Sequence, residues 1–420
     1  MIDRAAAGAL RVMPPPGAAD ASPPGKTNPP TEPGPRAEMD PATTTDPTAV
    51  RGLVAEPTCS IVIPTFNGKH LLRTCLASIE RHLASNQTRE VEIVVVDDAS
   101  DDGTLEWLRH RHPRIVALAL PRNSGFCAAA NAGIGAARGR FIQLLNNDTE
   151  VTPGWLDAGL APFVDPTVGA VAPLVLVRSD PARVDSAGDS CTLAGRPLKR
   201  GHGQPATDWC QRGTEEVLSA SGSSAFYRRE ALRRVGGFDP IYGSYYEDVD
   251  LGFRLRWAGY RCVFQPRSTI LHEISATYDH RLPGLQRRLA RNSELLFWNN
   301  FPAATLAVAF VPHLGLLLAQ AAWRLVRLRF LPFYLGKLDA LRAVPEILQR
   351  RRIRTRLARR SSFGPPHFPL HPSRPRDLLH HLRRPPEASA RPTSGGQLHP
   401  PSRPLPRLTS VHPANSARRP

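Results

Sequence analysis

Asp97-Asp98, Asn146-Asn147-Asp148, Glu247-Asp248-Val249-Asp250 and His272 are the residues of this 420-residue chain whose types and positions could do chemistry. A carboxylate facing a cleft can act as a general base toward a hydroxyl. Asp148 and His272 together would offer oxygen beside nitrogen, a set that suits Mn2+ or Mg2+ completed by phosphate oxygens. Each group also has a plainer use. Asn-Asn-Asp makes an ordinary turn. Glu247, Asp248 and Asp250 suit the first turn of a helix, where carboxylates satisfy free N–H groups and the macrodipole. A lone histidine at a strand end can simply be hydrogen-bonded there. Spacing alone leaves both readings open.

The runs around these residues indicate what must hold them. Ser60-Ile61-Val62-Ile63-Pro64 is a short β-branched strand, and Leu72, Leu76, Ile79 and Leu83 follow at helical spacing. Val91 to Val96 is a second strand that stops at Asp97-Asp98. A helix over about 104–111, a strand over 115–120, a helix over about 126–137 and the strand Phe141 to Leu145 continue the alternation. Strands alternating with helices imply right-handed crossovers and a mostly parallel sheet, whose ligands sit at the carboxyl ends of the strands. Pro64-Thr65-Phe66-Asn67, Asp97-Asp98 and Asn146-Asn147-Asp148 should therefore converge on one edge. A dinucleotide-binding domain is excluded by the first turn, Pro-Thr-Phe-Asn-Gly-Lys, which lacks the glycine-rich cradle, and no G-x-x-x-x-G-K-[ST] loop occurs. Any nucleotide must be handled by acidic side chains and a metal.

Downstream, a helix follows Pro153-Gly154, and a Val/Leu-rich strand runs near 168–177. Residues 178–217 are polar and read as an irregular, variable loop region. Pattern returns at Ser219–Arg229, a helix over 230–235, the turn Gly236-Gly237-Phe238-Asp239-Pro240, and a helix whose face carries Leu251, Leu255 and Ala258, with Gly259 as its stop.

Composition sets the boundaries. Residues 1–56 are Pro-rich without apolar periodicity and read as disordered, with no secretory signal and with Met13 and Met39 as alternative starts. From Arg350 onward, 16 arginines set against Asp377 and Glu387 leave the tail with +14 of the formal +17. The basic balance thus belongs to the tail, which could meet an anionic leaflet or nucleic acid, or remain solvated. Six cysteines show no zinc spacing; they suit a reducing compartment, with Cys191 and Cys210 the one pair open to bridging. Residues 301–323 are apolar and long enough to cross a bilayer, but Pro312 and His313 interrupt them and Arg324, Arg327 and Arg329 follow. An interfacial or re-entrant anchor, a span and helices packed on the domain are the three readings.

S-I-V-I-P-T-F-N, V-V-V-D-D-A-S-D-D-G-T, R-N-S-G-F-C-A-A-A-N-A-G, L-L-N-N-D-T, G-G-F-D and Y-E-D-V-D-L-G-F-R-L-R-W-A-G-Y, in this order and followed by His272, resemble glycosyltransferase family 2, in its rhamnosyltransferase-like branch. The resemblance covers roughly residues 58–300. It implies a GT-A fold: an α/β, Rossmann-like, mostly parallel sheet with flanking helices at 57–300. A helical, membrane-associating extension at 301–360 and a disordered Arg/Pro-rich tail at 361–420 complete the expected organisation. It further implies an inverting transfer of a hexose or deoxyhexose from a UDP-, dTDP- or GDP-sugar to a glycan or lipid-linked acceptor in surface polysaccharide assembly, at the inner face of the plasma membrane.

Position by position, the resemblance implies that Pro64, Thr65, Asn67, Asp97 and Asp98 hold the base and ribose. Asn123, Gly125 and Asn131 would line the donor pocket, with Asn146 and Asn147 beside them. Asp148 and His272 would ligate a divalent metal, Mn2+ or Mg2+. Asp248 would be the base, Glu247 a supporting or acceptor-positioning carboxylate, and Asp250 a helix-capping residue. One departure stands out: Asn146 occupies the place of the first acid of the family's D-x-D motif, which removes one negative charge from the metal site. An inactive nucleotide-sugar-binding scaffold and a nucleic-acid-binding protein acting through its tail are the rival classes. No nucleic-acid-binding signature supports the latter.

Overall fold

The computed structural model describes residues 57–84, 90–274, 282–326, 330–361 and 368–371. The expected disordered segment 1–56 and nearly all of the 361–420 tail lie outside the described residues.

Strands β1 (Cys59–Thr65), β2 (Val91–Asp97), β3 (Val116–Ala119) and β4 (Phe141–Leu145) alternate with helices α1 (Lys69–Ala84), α2 (Thr104–Arg111) and α3 (Phe126–Ala136). Their order is β4-β1-β2-β3 and every pairing among them is parallel. Successive residues of β1 point to opposite faces, and both faces are covered. Ile61 and Ile63 meet Leu72, Cys75, Leu76 and Ile79 of α1 on one side, while Val62 joins Val96, Cys127 and Ala130 on the α3 side. Burial on both faces is why these strands read as unbroken apolar runs instead of alternating ones.

The chain continues through β5 (Thr149–Val151), α4 (Trp155–Leu160) and β6 (Val168–Val177), then β7 (Asp180–Ser186), β8 (Asp189–Thr192), β9 (Pro197–Lys199), α5 (Thr207–Cys210) and β10 (Glu215–Val217). Next come β11 (Ser224–Arg228), α6 (Arg229–Val235), α7 (Glu247–Trp257) and β12 (Arg261–His272). These complete a ten-stranded mixed sheet, β10-β12-β6-β11-β4-β1-β2-β3, with β5 on β12 and β7 on β6. β11 is antiparallel to both β4 and β6, so the parallel half and the β6–β12 half meet across it.

The segment expected to be irregular, 178–217, is instead built of short strands. Its β7 and β8 carry buried polar residues, Asp185, Ser186, Asp189 and Ser190, which erase the apolar period that announces a strand. Cys191 and Cys210 are free thiols, the first buried in β8 and the second exposed at the end of α5, so the bridge left open between them is not formed.

Four helices follow: α8 (Pro283–Asn300), α9 (Ala303–Val326), α10 (Phe330–Arg342) and α11 (Val344–Arg359). A short β13 (Leu370–His371) pairs with β8. A third core joins Leu218, Tyr242, Val249 and Phe253 to Leu295, Phe297 and Phe301 of the α8 end, Ala309 of α9 and Ile347 of α11. α9 buries Ala309, His313 and Leu316, one stripe at helical spacing, while Val308, Val311, Leu318 and Val326 stand 66%, 74%, 63% and 83% exposed. The polar ring is on the packed side and the apolar residues are outside. His313 Nδ1 lies 2.8 Å from the Ala194 carbonyl oxygen, and its Nε2 lies 3.1 Å from Glu294 Oε2. The ring also stacks flat on Phe297 at 3.7 Å. A polar interruption in an apolar run is thus a packed residue with partners on two neighbouring elements.

Candidate active site

The carboxyl ends of β1, β2 and β4 open on a cavity of about 540 Å³. Pro64, Thr65, Asp98, Asn123, Gly125, Asn146, Asn147, Asp148, Glu247, Asp248 and His272 all line it. Eleven residues spread over more than 200 positions therefore share one cavity, and parallel topology accounts for those at the ends of β1, β2 and β4.

On the β1–β2 side the polar groups hold backbone. Asp98 takes Ser124 N–H on Oδ1 at 2.7 Å and Gly125 N–H on Oδ2 at 2.8 Å, so it fastens the loop leading into α3. Asn147 Nδ2 donates to Thr65 Oγ1 over 2.8 Å, locking the β4 end to the β1 end. Three residues expected at the donor do not line the cavity. Asn67 accepts Asp101 N–H at 2.9 Å and its own N–H donates to Ser100 Oγ at 2.9 Å, stitching two loops together. Asp97 is buried and holds the Ser100 hydroxyl. Asn131 spends its amide on the backbone of Phe238, donating to the carbonyl at 2.7 Å and accepting the N–H at 2.8 Å. Each bonds to neighbouring loops of the scaffold.

On the opposite side stand Asp148, at the end of the β4 turn, and His272, at the end of β12. His272 Nε2 lies 3.4 Å from Asp148 Oδ1, and that carboxylate oxygen is buried without a hydrogen bond. Among the described residues no three His, Cys, Asp or Glu side chains gather into a metal cluster.

Helix α7 delivers the third group. Gly252 lets it lie against the chain preceding β11: a Cβ there would come 2.4 Å from the Ser219 Cβ and 2.6 Å from the Leu218 carbonyl. Tyr245 and Tyr246, just before the helix, both hold φ near +70°. Such conformations cost on the order of 1 kcal/mol each and need external support. Asn292 of α8 provides it, donating to the carbonyls of Tyr242, Ser244 and Tyr245 over 2.9–3.0 Å. Asp248 is held by Gly222 N–H on Oδ2 and Val249 N–H on Oδ1, both at 2.8 Å, and stays half-buried at the cavity wall.

Burial raises the Asp248 carboxyl above the ordinary range, against the two amides and Lys199, which pull it down. Burial and the adjacent Asp248 charge raise Glu247 much further, and Glu247 Oε2 has no hydrogen-bond partner. Asp250 differs from the other two. It is fully buried and faces away from the cavity, bound by Arg254 Nε at 2.6 Å, Arg354 Nη2 at 2.7 Å, Asn300 Nδ2 at 2.8 Å and the Tyr242 hydroxyl at 3.0 Å. It is the hub of a buried ion network tying α7 to α11, a role that first-turn capping does not describe. Those arginines hold its carboxyl at about 2 despite burial.

Three cavity-side residues escape motif reading. Asp189 of β8 lines the wall and is pushed up to about 8 by burial and by the Asp248 charge. Lys199 of β9 lines it too. Asp185 of β7 lies behind His272, its oxygens on His272 Nδ1 and Lys199 Nζ. Despite burial, Lys199, His202 and His272 hold that carboxyl well below the usual range. All three come from the segment read as irregular, where an isolated Asp or Lys carries no spacing signal.

A family model described as glycosyl transferase family 2 matches residues 60–236. The N-acetylglucosaminyl-diphospho-decaprenol L-rhamnosyltransferase of Mycobacterium tuberculosis is 33% identical over 219 residues, 46% of this chain and 71% of that protein. The O-antigen biosynthesis protein RfbC of Myxococcus xanthus is 30% identical over 247 residues, 54% of this chain but 18% of RfbC. The uncharacterized protein y4gI of Sinorhizobium fredii is 31% identical, and the chain spans 25% of its length. Among solved structures, the mannosyltransferase PcManGT of Pyrobaculum calidifontis, in complex with GDP-Man and Mn2+, is 21% identical. That match covers 72% of this chain and 87% of PcManGT, with a TM-score of 0.42. By its family match and its likeness to most of the length of the rhamnosyltransferase, the chain belongs to glycosyltransferase family 2.

Proposed function

We propose that this glycosyltransferase moves a sugar from a nucleotide-diphosphate donor to a hydroxyl of a glycan or lipid-linked acceptor, with inversion, in surface polysaccharide assembly. The observation that carries the reading is the opposition, across one cavity, of Asp248 on α7 and the Asp148–His272 pair at the sheet edge. Asp248 takes the proton of the acceptor hydroxyl as its oxygen attacks the anomeric carbon, and the nucleotide diphosphate leaves from the other face. A base with a raised carboxyl, fixed by two backbone amides, is oriented and basic enough for that step. Asp98, Asn147 and Gly125 shape the donor side.

The donor set fits a divalent cation. Five acidic residues, Asp98, Asp148, Asp189, Glu247 and Asp248, line the cavity beside Lys199 and His272, and burial holds Asp189 and Glu247 toward their protonated forms. A cation entering with the diphosphate would find its counter-charge at Asp148. The buried Asp148 oxygen without a hydrogen bond, facing His272 Nε2, supplies the place. Asp148 and His272 would hold Mn2+ or Mg2+, which when bound neutralises charge on the departing diphosphate. Asn146 in place of an acid leaves that pair as the protein's ligands.

The acceptor class draws on the relative whose name carries a diphospho-decaprenol. It also draws on α9, the one described helix long and apolar enough to cross a membrane, of whose most apolar window 17% is buried. Withdrawing α9 into a span would strip His313 from Ala194 and Glu294, so an interfacial seating at the inner face of the plasma membrane suits it better.

Thermal melting with UDP-, GDP- and dTDP-sugars, with and without Mn2+, tests the donor, since only a ligand of the native state stabilises it. Asp248→Asn should lower kcat by about 10²–10⁴-fold while donor affinity holds. Wild-type turnover in that variant would overturn the assignment of the base.

A further inference from the structure

We propose that Asp185 is a positioning residue of the active site, the buried carboxylate that fixes the ring of His272 and the ammonium of Lys199 toward the cavity. The inference rests on the reading of Asp148 and His272 as a cation pair. Asp185 lies on β7, outside the stretches that carry the family resemblance, and is fully buried.

Its two oxygens are divided between two cavity groups. Oδ2 accepts the N–H of His272 Nδ1 over 2.9 Å, and Oδ1 accepts from Lys199 Nζ over 2.8 Å. His202 Nδ1 donates to the Asp185 main-chain carbonyl at 3.0 Å and stands 3.4 Å from Oδ1. The imidazole is thereby pinned through Nδ1, and Nε2 is the nitrogen 3.4 Å from Asp148 Oδ1. A carboxylate on the far ring nitrogen decides which nitrogen is left for ligation, holds the ring plane and raises ligand basicity.

Stability alone does not call for this cluster of charges, because a buried ion cluster replaced as a whole by packed apolar residues is often no less stable. An apolar residue on β7 would fill the same space and leave His272 free to turn. Lys199 also lines the cavity, and its ammonium is held by the same carboxylate. β7 thus acts as a support strand behind the β12 end.

The test titrates Mn2+ alone into the full chain, reading free ion by its electron paramagnetic resonance signal, for wild type, His272→Gln and Asp185→Asn, with a thermal melt of each. Binding by wild type that His272→Gln abolishes is expected for the cation pair. Asp185→Asn should then bind about 10–100-fold more weakly while melting as a folded chain. Equal affinity in Asp185→Asn would overturn the positioning role and leave the cation pair standing. Undiminished binding by His272→Gln, or none by wild type, would overturn the cation pair and this inference with it. Lys199 and His202 keep side-chain exposures of 35% and 33%, so both can turn to water when the charge is removed. Should Asp185→Asn still fail to fold, Lys199→Met with and without Asp185→Asn gives a second comparison. The same fold loss is expected between those two, and equal affinities would overturn the role.

Discussion

Replacing Arg354 by Met tests whether the helical extension and the catalytic helix are one structural unit. Arg354 is 2% exposed; its Nη2 is 2.7 Å from Asp250 Oδ1 and its Nε donates to Asn300 Oδ1 over 2.8 Å. Removing one partner of a buried ion pair costs about 3–5 kcal/mol, because the remaining charge stays buried. Asp250 keeps Arg254 at 2.6 Å, the Tyr242 hydroxyl and Asn300, and methionine fills much of the arginine stem. The expected loss is therefore the low end, about 3 kcal/mol. With a urea slope of about 3 kcal/mol per molar, the midpoint should fall by about 1 M. Urea unfolding followed by far-ultraviolet circular dichroism and by tryptophan fluorescence should give one coincident transition, shifted as a whole. The same substitution in an Asp250→Asn background should cost far less, since the charge that Arg354 compensates is gone. A loss below about 1 kcal/mol, or an early separate transition for α11, would refute the coupling of α11 to α7.

Acid should expose the same network. The folded carboxyl of Asp250 sits at about 2, below its ordinary 3.8, so its contribution is present above pH 3.8 and is lost as pH falls toward 2. That contribution is on the order of 2 kcal/mol; a wild-type chain whose unfolding free energy stays flat over this window would contradict it. The acid limb of kcat/KM should lie above the usual carboxylate range because burial raises Asp248, and a limb at or below pH 4 would argue against its role as base. Gly133→Ala would set a Cβ 2.3 Å from Val62 Cγ1 and 3.0 Å from Val96 Cγ2, between α3 and the sheet. Overpacking of that kind should cost about 1–3 kcal/mol in chemical denaturation, and an unchanged midpoint would show that α3 can shift freely. Val311→Glu with Leu318→Glu, on the outward face of α9, should abolish sedimentation with anionic vesicles while leaving the melt nearly unchanged. Undiminished sedimentation would rule out that face as the membrane contact.

What was legible in the sequence follows from local chemistry. β1, β2 and β4 are covered on both faces, so their apolar runs are unbroken, and the polar residues that end them mark the sheet edge by position alone. Asp98, Asn146, Asn147 and Asp148 meet at one cavity for that reason. The helix of Asp248 was equally plain, with its acidic first turn and apolar face. What the sequence could not determine depends on who pairs with whom across the chain. Asn131 and Asp97 carry the same side chains whether they face a ligand or hold a neighbouring loop, and only tertiary structure spends them on the scaffold. Asp250 looks like its acidic neighbours until α11 brings Arg354 to it from 104 residues away. The buried polar residues of β7 and β8 hide their strand period, and β9 is three residues long without a buried side chain, so Asp185, Asp189 and Lys199 carry no signal. His313 reads as a flaw in an apolar run until Ala194, Glu294 and Phe297 surround it. Hydrophobic period is a property of neighbours in sequence and settles which segments form the sheet. The partner of a buried charge is a property of distant segments, and only the folded chain decides it.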